Sequence, residues 1–204
     1  AYLDRDTIFD GITVNGIDVS LLTEEEAMEK VEKEAGIAAG AAVSVTVLDR
    51  GWSLLFDDVD ARYDFKTAVE EAYAVGRKGS VRERYKQVKN AEGNGLDIQA
   101  QYSYDAEKTE KFVTNLKKEA DTEKQDSVIS REDGRFKITD EVVGITVDEA
   151  LTLDAVCAVL NTGKPGKVEA VYAEDKPTVT KEENEKSTTL IGTYYTTFSA
   201  GYTN

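Results

Sequence analysis

The chain has 204 residues and a formal net charge of -15, from 25 basic and 40 acidic residues. Nucleic acids and anionic lipid surfaces are bound by clustered Lys and Arg, so this charge argues against both as direct partners. The sequence contains no His and one Cys, which excludes Ser–His and Cys–His nucleophilic catalysis and an intramolecular disulfide. A hydrophobic content of 40% is enough to build real cores, so we expect a folded chain despite the charge.

Membrane insertion is not indicated by the sequence. No apolar run approaches the roughly 20 residues that cross a bilayer, and no signal peptide is visible. The chain starts inside a strand-like segment and stops abruptly at Thr203–Asn204. We therefore expect a soluble, trimmed part of a longer protein.

The first elements are predicted by the segment Val14–Ala27, which has the pattern of a tight turn, a short strand and the start of a helix. Asn15–Gly16 tolerates the positive φ angles of a hairpin turn. Thr23 and Glu26 have the spacing of a capping box, which predicts a helix over Glu24–Ala35.

A β-hairpin is predicted next, from Ala41–Leu48, a turn at Asp49–Gly51, and Trp52–Phe56. Asp64 is placed to cap a second helix. The apolar stripe of that helix is Phe65, Ala68, Val69, Ala72 and Tyr73. Ser80 and Glu83 form a second capping-box pattern, which predicts a short connecting helix.

The second half repeats this order. Leu96–Tyr104 is predicted to be one strand, and Asp105 caps a helix. The apolar stripe of this helix is Phe112, Val113 and Leu116. A hairpin follows, from Ser127–Arg131, a turn at Asp133–Gly134, and Arg135–Thr139.

An extended stretch, Val142–Val147, then leads to a last helix capped by Asp148. The stripe of this helix is Leu153, Val156, Cys157 and Leu160. The order strand, helix, hairpin, helix therefore occurs twice with a period of roughly 84 residues, too long for a solenoid repeat. Trp52 and Phe136 occupy equivalent positions, each just after the turn of its hairpin.

The predicted fold class is α+β, as two tandem copies of one small domain. The predicted segments are a first copy at 1–79, a connecting helix and linker at 80–95, a second copy at 96–173, a charged linker at 174–187, and the start of a further domain at 188–204.

Few residues have the chemistry of a catalytic or metal site. Cys157 lies in an apolar helical stripe without a His partner, so a buried core thiol is the favoured interpretation. Asp57, Asp58 and Asp60 could supply oxygen ligands for calcium. An EF-hand loop, however, would not have Arg at position 62 and would have a Gly that is missing here, so a polar turn is the favoured interpretation.

Aromatic and basic residues allow two interpretations each. Trp52 could stack on a sugar ring, but its position favours a core anchor. Two tyrosine pairs could serve a ligand groove or fill an α/β layer: Tyr102 with Tyr104, and Tyr194 with Tyr195. The basic run Arg77–Lys86 could be a docking patch, with a solvated helix face favoured. Gly76–Ser80 lacks the spacing of a phosphate loop.

Three stretches together resemble the VanW-like, YoaR-type envelope proteins of Gram-positive bacteria. They are VNGIDVSLLTEEEA at Val14–Ala27, DFKTAVEEAYAVGRKG at Asp64–Gly79, and LIGTYYTTFSAGYTN at Leu190–Asn204. In that family a membrane anchor precedes two copies of a domain described as peptidoglycan-binding. A VanW domain follows, opening with a Thr-x-Phe strand and a nearby Asn, which Thr196–Phe198 and Asn204 resemble.

The resemblance implies an extracellular, membrane-anchored protein of the cell envelope whose partner is peptidoglycan. The anchor itself lies outside this chain, and nucleic acid is not an expected partner. The same repeat also precedes L,D-transpeptidase domains, but their Cys and His motif is missing here, so no transpeptidase activity carries over. No catalytic, cofactor-binding, metal-binding or ligand-binding residue is assigned by the resemblance, and no cofactor is expected.

Three functions are therefore compared. The leading hypothesis is a non-enzymatic module that binds peptidoglycan and positions a C-terminal VanW domain. The second is a structural spacer or protein-interaction module, which predicts a conspicuous exposed apolar patch. The third is a wall hydrolase with two carboxylates, which requires a deep cleft and one acid of raised pKa.

Overall fold

The structure is a computed structural model that describes residues 3–188. Its architecture is mixed α+β, which confirms the predicted fold class. Helices and several small sheets alternate along the chain. The predicted start of a VanW domain at 188–204 lies, apart from Thr188, outside the described residues.

The helices are α1 Glu24–Ala35, α2 Phe65–Ala74, α3 Val81–Asn94, α4 Ala106–Ala120, α5 Glu149–Leu160 and α6 Lys181–Ser187. The strands are β1 Ile12–Val14, β2 Ile17–Asp18, β3 Ala42–Val47, β4 Arg50–Leu55, β5 Arg62–Asp64, β6 Leu96–Ile98, β7 Gln101–Ser103, β8 Ile129–Glu132, β9 Arg135–Ile138, β10 Gly144–Val147, β11 Gly166–Glu169 and β12 Tyr172–Asp175.

The described residues form two compact units. Unit 1 contains residues 3–116 and 149–171, and unit 2 contains residues 117–148 and 172–188. These units do not coincide with the predicted segments 1–79 and 96–173. Two tandem copies are therefore not confirmed, although the order of elements along the chain recurs.

Strand pairing explains why the two units differ from the two predicted copies. In unit 1, β6 pairs in parallel with β1, β7 pairs with β5, and β11 pairs in parallel with β3. Each pair joins an element of the first predicted copy to one of the second. Parallel strands need a long crossover connection, which only distant segments of a chain supply. The two halves therefore contribute to common sheets.

Local capping signals set the starts of three helices as predicted. The Thr23 hydroxyl accepts a hydrogen bond from the Glu26 N–H at 3.2 Å, and the Glu26 carboxylate accepts one from the Thr23 N–H at 2.9 Å. The same reciprocal pair joins Ser80 and Glu83 at the start of α3. The Asp64 carboxylate caps α2 by accepting from the Thr67 N–H at 3.1 Å. These bonds satisfy amides that a helix start leaves unpaired.

The main core of unit 1 lies between the sheet β2-β1-β6 and helices α1, α2 and α3. Its fully buried members include Phe9, Ile12, Val31, Ala72 and Val88. The predicted stripe of α2 faces this core, since four of its five residues are buried and Tyr73 is half-buried. Burial of these side chains provides the hydrophobic stabilisation of the unit.

A second sheet of unit 1 has the order β11-β3-β4. Its inner face presents Val43, Val45 and Val47 from β3 with Leu54 from β4, all of them buried. Helix α5 contacts β3 and β11. The predicted hairpin of this region is confirmed, but its turn is at Leu48–Asp49. Arg50 and Gly51, predicted in the turn, belong to β4.

The predicted single strand Leu96–Tyr104 is wrong in its continuity. β6 and β7 are separated at Gln99–Ala100 and belong to different sheets. The break is held by the Ala100 N–H, which donates to the Asn15 side-chain oxygen at 2.8 Å. Asn15 and Ala100 are far apart in sequence, so no local pattern could predict this contact.

Unit 2 is built from the pair β10–β12, the hairpin β8–β9, and helix α6. Isolated bridges join Thr122 to Ile145 and Gln125 to Val142. Helix α6 lies within 174–187, which was predicted to be a charged linker. Its start has a third capping box, formed by Thr180 and Glu183, which sequence inspection overlooked among the surrounding charges.

Candidate ligand-binding site

A polar cleft of about 690 Å³ opens in unit 2. Its lining consists of Asp121, Thr122, Glu123, Lys124, Gly144, Ile145, Thr146 and Asp175. We call this the polar cleft. Its volume lies within the range of ligand-binding pockets, but its polar lining differs from that of the apolar pockets that bind drug-like molecules.

Backbone pairing fixes the floor of the polar cleft. Strand β10 pairs with β12 on one side, with Gly144 opposite Asp175. On the other side the Thr122 N–H donates to the Ile145 carbonyl at 2.9 Å, and the Ile145 N–H donates to the Thr122 carbonyl at 2.8 Å. A Cβ at Gly144 would lie 3.0 Å from the Lys124 backbone nitrogen, so glycine permits this close approach.

Asp121 connects the cleft to the end of α4. Its carboxylate accepts a hydrogen bond from the Val147 N–H at 2.7 Å and pairs with the Lys117 ammonium at 2.7 Å. The same ammonium donates to the Val147 carbonyl at 2.7 Å. Asp121 and Lys117 therefore support the floor of the cleft, and their charges are already paired.

The remaining charges leave a carboxylate available. Lys124 and Asp175 form an ion pair at 2.9 Å on the rim of the cleft. Within residues 3–188, the Glu123 carboxylate has no hydrogen-bond or ion-pair partner, and its side chain is exposed. This carboxylate is therefore free to accept a charge-assisted hydrogen bond from a ligand ammonium. Thr122 and Thr146 add hydroxyl groups to the lining.

A second cleft of unit 2, of about 500 Å³, is lined by Asp140, Glu141, Val143, Lys181, Glu182 and Glu185. The Lys181 ammonium lies 2.6 Å from an Asp140 oxygen, and this hydrogen bond raises the pKa of Lys181. The Lys181 N–H also donates to Glu141 at 2.8 Å. These contacts hold the start of α6, so we assign this cleft a structural role.

Cys157 is not buried as predicted. Its side chain is half-buried. Burial and the neighbouring Cys157 thiol raise the pKa of Tyr104 to about 12.

The tyrosines of the second half form part of an aromatic cluster in unit 1. The Tyr63 ring stacks on Phe65 at 5.3 Å between centroids and lies 5.0 Å from Tyr102. Tyr102 in turn lies 6.1 Å from Tyr104. The Tyr102 hydroxyl is buried without a partner among the described residues, and burial raises its pKa. This cluster fills a layer, so we do not place a ligand on it. Tyr194 and Tyr195 lie outside the described residues.

The aspartates considered for calcium have other partners. Asp58 accepts from the Leu55 N–H at 3.3 Å, and Asp60 pairs with Lys108 at 2.7 Å. The hydrogen bond from Lys108 lowers the pKa of Asp60. Both carboxylates belong to the polar turn before β5. No group of three or more acidic or Cys side chains within residues 3–188 is arranged to hold a metal ion.

The predicted core role of Trp52 is not confirmed. Trp52 is half-buried, and the Arg50 guanidinium lies 4.9 Å from its ring centroid. Phe136, at the equivalent position, is 60% exposed. Trp52 shares one face of β4 with Leu54, but only Leu54 is buried.

The basic run Arg77–Lys86 contains two structural arginines. Arg77 donates to the carbonyls of Arg5 and Thr7 at 2.7 and 2.9 Å, and its guanidinium lies 3.6 Å from the Tyr73 ring centroid. Arg84 donates to the Gly76 carbonyl at 2.7 Å and to the Leu3 carbonyl at 3.0 Å. These two side chains fasten the N-terminal segment rather than forming a solvated face, which corrects the prediction for them.

The polar cleft itself was missed by sequence reasoning. Its residues come from three separate segments, and none of them has a recognised motif. Gly144 after an apolar stretch was the one usable signal, because glycine in a strand often marks a close approach of backbone. Helices long and apolar enough to cross a membrane are absent from the part of the chain described.

Comparison with known protein families identifies the family of this chain. The family model described as "putative peptidoglycan binding domain" matches residues 52–169, which is more than half of the chain. The matched span runs from β4 to β11 and contains all residues of the polar cleft except Asp175. Neither the curated proteins nor the solved structures contain a match. The chain therefore belongs to the family of putative peptidoglycan binding domains.

Proposed function

We propose that this chain is a non-catalytic, extracellular module of the Gram-positive cell envelope that binds peptidoglycan through the polar cleft. The observation that carries the proposal is the family match over residues 52–169, since membership indicates a cell-wall binding module. In this proposal any contact with the membrane is made by an anchor outside the chain, and the module positions a C-terminal VanW domain. The resemblance at Leu190–Asn204 supports that last part.

The charge of the polar cleft supports a preferred ligand group. Peptidoglycan peptides carry amines as well as carboxylates, and a carboxylate such as Glu123 binds an ammonium by a charge-assisted hydrogen bond. The chain as a whole has a net charge of -15, which raises the local concentration of cations near its surface. Amine-bearing stem peptides or cross-bridges are therefore the parts of the polymer that fit this cleft.

Co-sedimentation with purified Gram-positive sacculi tests the proposal. We expect the chain to pellet above an equally acidic unrelated protein at low salt, and to pellet less at moderate salt, because salt screens exposed charge pairs. Glu123→Gln should weaken binding several-fold. Glu110→Gln, at an exposed position of α4 outside the cleft, is the matched control. A chain that remains in the supernatant at both salt concentrations would refute wall binding.

A spacer or protein-interaction role is the second candidate. The observation that favours it is exposed apolar surface on the hairpin β8–β9, where Ile129 and Phe136 are 37% and 60% exposed. This role predicts no binding to sacculi and no effect of Glu123→Gln. The sedimentation experiment therefore separates the two functions.

A carboxylate-dependent hydrolase gains no support from the titrating groups. Five carboxyl groups of the described residues have a pKa that hydrogen bonds displace downward: Asp18, Asp60, Asp64, Glu83 and Asp97. A general acid requires the opposite shift. Incubation of sacculi with the chain, followed by assay of released reducing sugar, tests this function directly, and we expect no release above buffer.

A further inference from the structure

The hairpin β8–β9 projects both of its faces into solvent. Every residue of its two strands is exposed except Ile138, which is half-buried. Opposed pairs Ile129–Ile138 and Arg131–Phe136 place four side chains on one face. We call this the hairpin face. It combines two isoleucines, an aromatic ring and a guanidinium, and Phe136 is 60% exposed.

An isolated two-stranded hairpin is marginal in water, so its order requires support from elsewhere. The support is a buried polar network at its base. The Asn184 amide of α6 donates to the Ser127 carbonyl and hydroxyl, both at 2.9 Å. The Ser127 hydroxyl donates to the Thr139 carbonyl at 2.7 Å, and the Val128 N–H donates to the Thr139 hydroxyl at 3.0 Å. The network joins the base of the hairpin to α6, while the strands remain exposed.

The charge of the hairpin is opposite to that of the chain. Arg131, Arg135 and Lys137 outnumber Glu132 and Asp133, whereas the whole chain has a net charge of -15. Lys137 pairs with Glu132 at 3.2 Å, and the Arg131 guanidinium lies 6.0 Å from the Phe136 ring centroid. A cation held beside an exposed ring, in an acidic protein, is a surface complementary to an anion that carries apolar groups.

We infer that the hairpin face binds the carboxylate-bearing stem peptides of peptidoglycan, and this rests on the function proposed above. The Arg131 guanidinium pairs with a stem carboxylate in the two-pronged geometry that arginine favours. Phe136 and Ile129 contact the methyl groups of the alanine residues beside it. A polyol phosphate offers an anion but no such apolar groups, so the hairpin face fits a peptide better than a phosphate polymer.

The test is co-sedimentation of the whole chain with sacculi stripped of phosphate polymers. The double variant Arg131→Gln/Phe136→Ala should lower affinity at least tenfold. Arg82→Gln, which removes an exposed arginine of α3, is the matched control and should change affinity less than twofold. Amidation of the sacculus carboxylates with carbodiimide and ammonia should abolish the contribution of the hairpin, so that wild type and double variant bind equally.

Circular dichroism and the thermal midpoint of each variant check that it is folded. Substitutions at exposed positions are expected to be tolerated. If wild type and double variant bind stripped sacculi equally, the inference is wrong while the proposed function stands. Binding that requires the phosphate polymers would assign the hairpin face to those polymers and overturn the inference. If wild type fails to bind any sacculi, the proposed function and the inference both fall.

Discussion

The two hairpins β3–β4 and β8–β9 occupy equivalent places in the sequence pattern but have opposite surroundings. In β3–β4 the alternate residues Val43, Val45 and Val47 are buried. In β8–β9 the strands are almost wholly exposed, although the side chains of both strands also alternate between two faces. Each hairpin has a short turn with a residue of positive φ, Leu48 in the first and Asp133 in the second.

The difference arises from a distant segment. Strand β3 receives β11 on its free edge, with Val45 opposite Val168, and α5 contacts the same sheet. The hairpin β8–β9 receives no third strand from the described residues. Alternation therefore predicts that a strand has an apolar face, but the rest of the fold decides whether that face is covered.

The largest contrast is expected for truncations in the two hairpins. Val45→Ala deletes buried methyl groups and should lower the free energy of unfolding by about 2–3 kcal/mol. Phe136→Ala should change it by less than about 0.5 kcal/mol, because the ring is already exposed to water. Urea unfolding of both variants measures the contrast. Equal losses would show that the hairpin face is covered in solution.

The base of the exposed hairpin gives the next largest effect. Asn184→Ala removes the amide that satisfies Ser127 and should cost about 1–3 kcal/mol locally. Amide hydrogen exchange should accelerate in β8 and β9 while β3 and β4 remain protected. Asn161→Ala, at an exposed turn after α5, serves as the control. Uniform acceleration in both hairpins would contradict an independent base network.

A substitution in the turn of the hairpin β3–β4 is expected to have a smaller effect, and to stabilise the fold. Leu48 has φ of 53° and is exposed, so its left-handed backbone is strained without a gain from burial. Leu48→Asn should raise the free energy of unfolding by about 0.5–1 kcal/mol, because Asn tolerates this conformation. Leu55→Asn, within β4, is the control and should not raise the free energy of unfolding. A loss of stability in Leu48→Asn would indicate that the leucine side chain makes a contact that matters.

The smallest effect concerns the first hairpin, β1–β2, whose turn is held by a carboxylate. The Asp97 carboxylate accepts from the Thr13 hydroxyl at 2.6 Å and from the Gly16 N–H at 2.9 Å, and these bonds lower its pKa. The stabilisation is therefore present above the unfolded pKa of about 3.9 and is lost as pH falls through the lower folded value.

Wild type should accordingly be more stable than Asp97→Asn at pH 7, and the difference should shrink as the pH falls below the unfolded pKa of about 3.9. Urea unfolding at a series of pH values measures this difference. A difference that stays constant over the series would mean that the charge of Asp97 does not contribute.

Local elements were predictable because their signals are local. The reciprocal bonds of Thr23 with Glu26 and of Ser80 with Glu83 each involve residues three positions apart. Asn15–Gly16 and Asp133–Gly134 both adopt the positive φ angles that their sequences favour. Such patterns specify where a helix or hairpin begins irrespective of the remainder of the fold.

Pairing between distant strands and the polar cleft were not predictable in the same way. Strand β11 is short and buries one side chain, Val168, and nothing in its sequence specifies β3 as its neighbour. The polar cleft arises where the Thr122–Ile145 bridge and the β10–β12 pair bring three polar segments together. Its charges resemble those of the remaining acidic surface until the fold places them in one concavity.

The pairing of β3 with β11 also constrains the order of events when the chain is made. Val43 pairs with Gly166, so this sheet of unit 1 is complete only after the segment that contains β11 has been synthesised. Contacts of such high sequence separation slow folding. Until then β3 keeps an open edge that invites association with other chains.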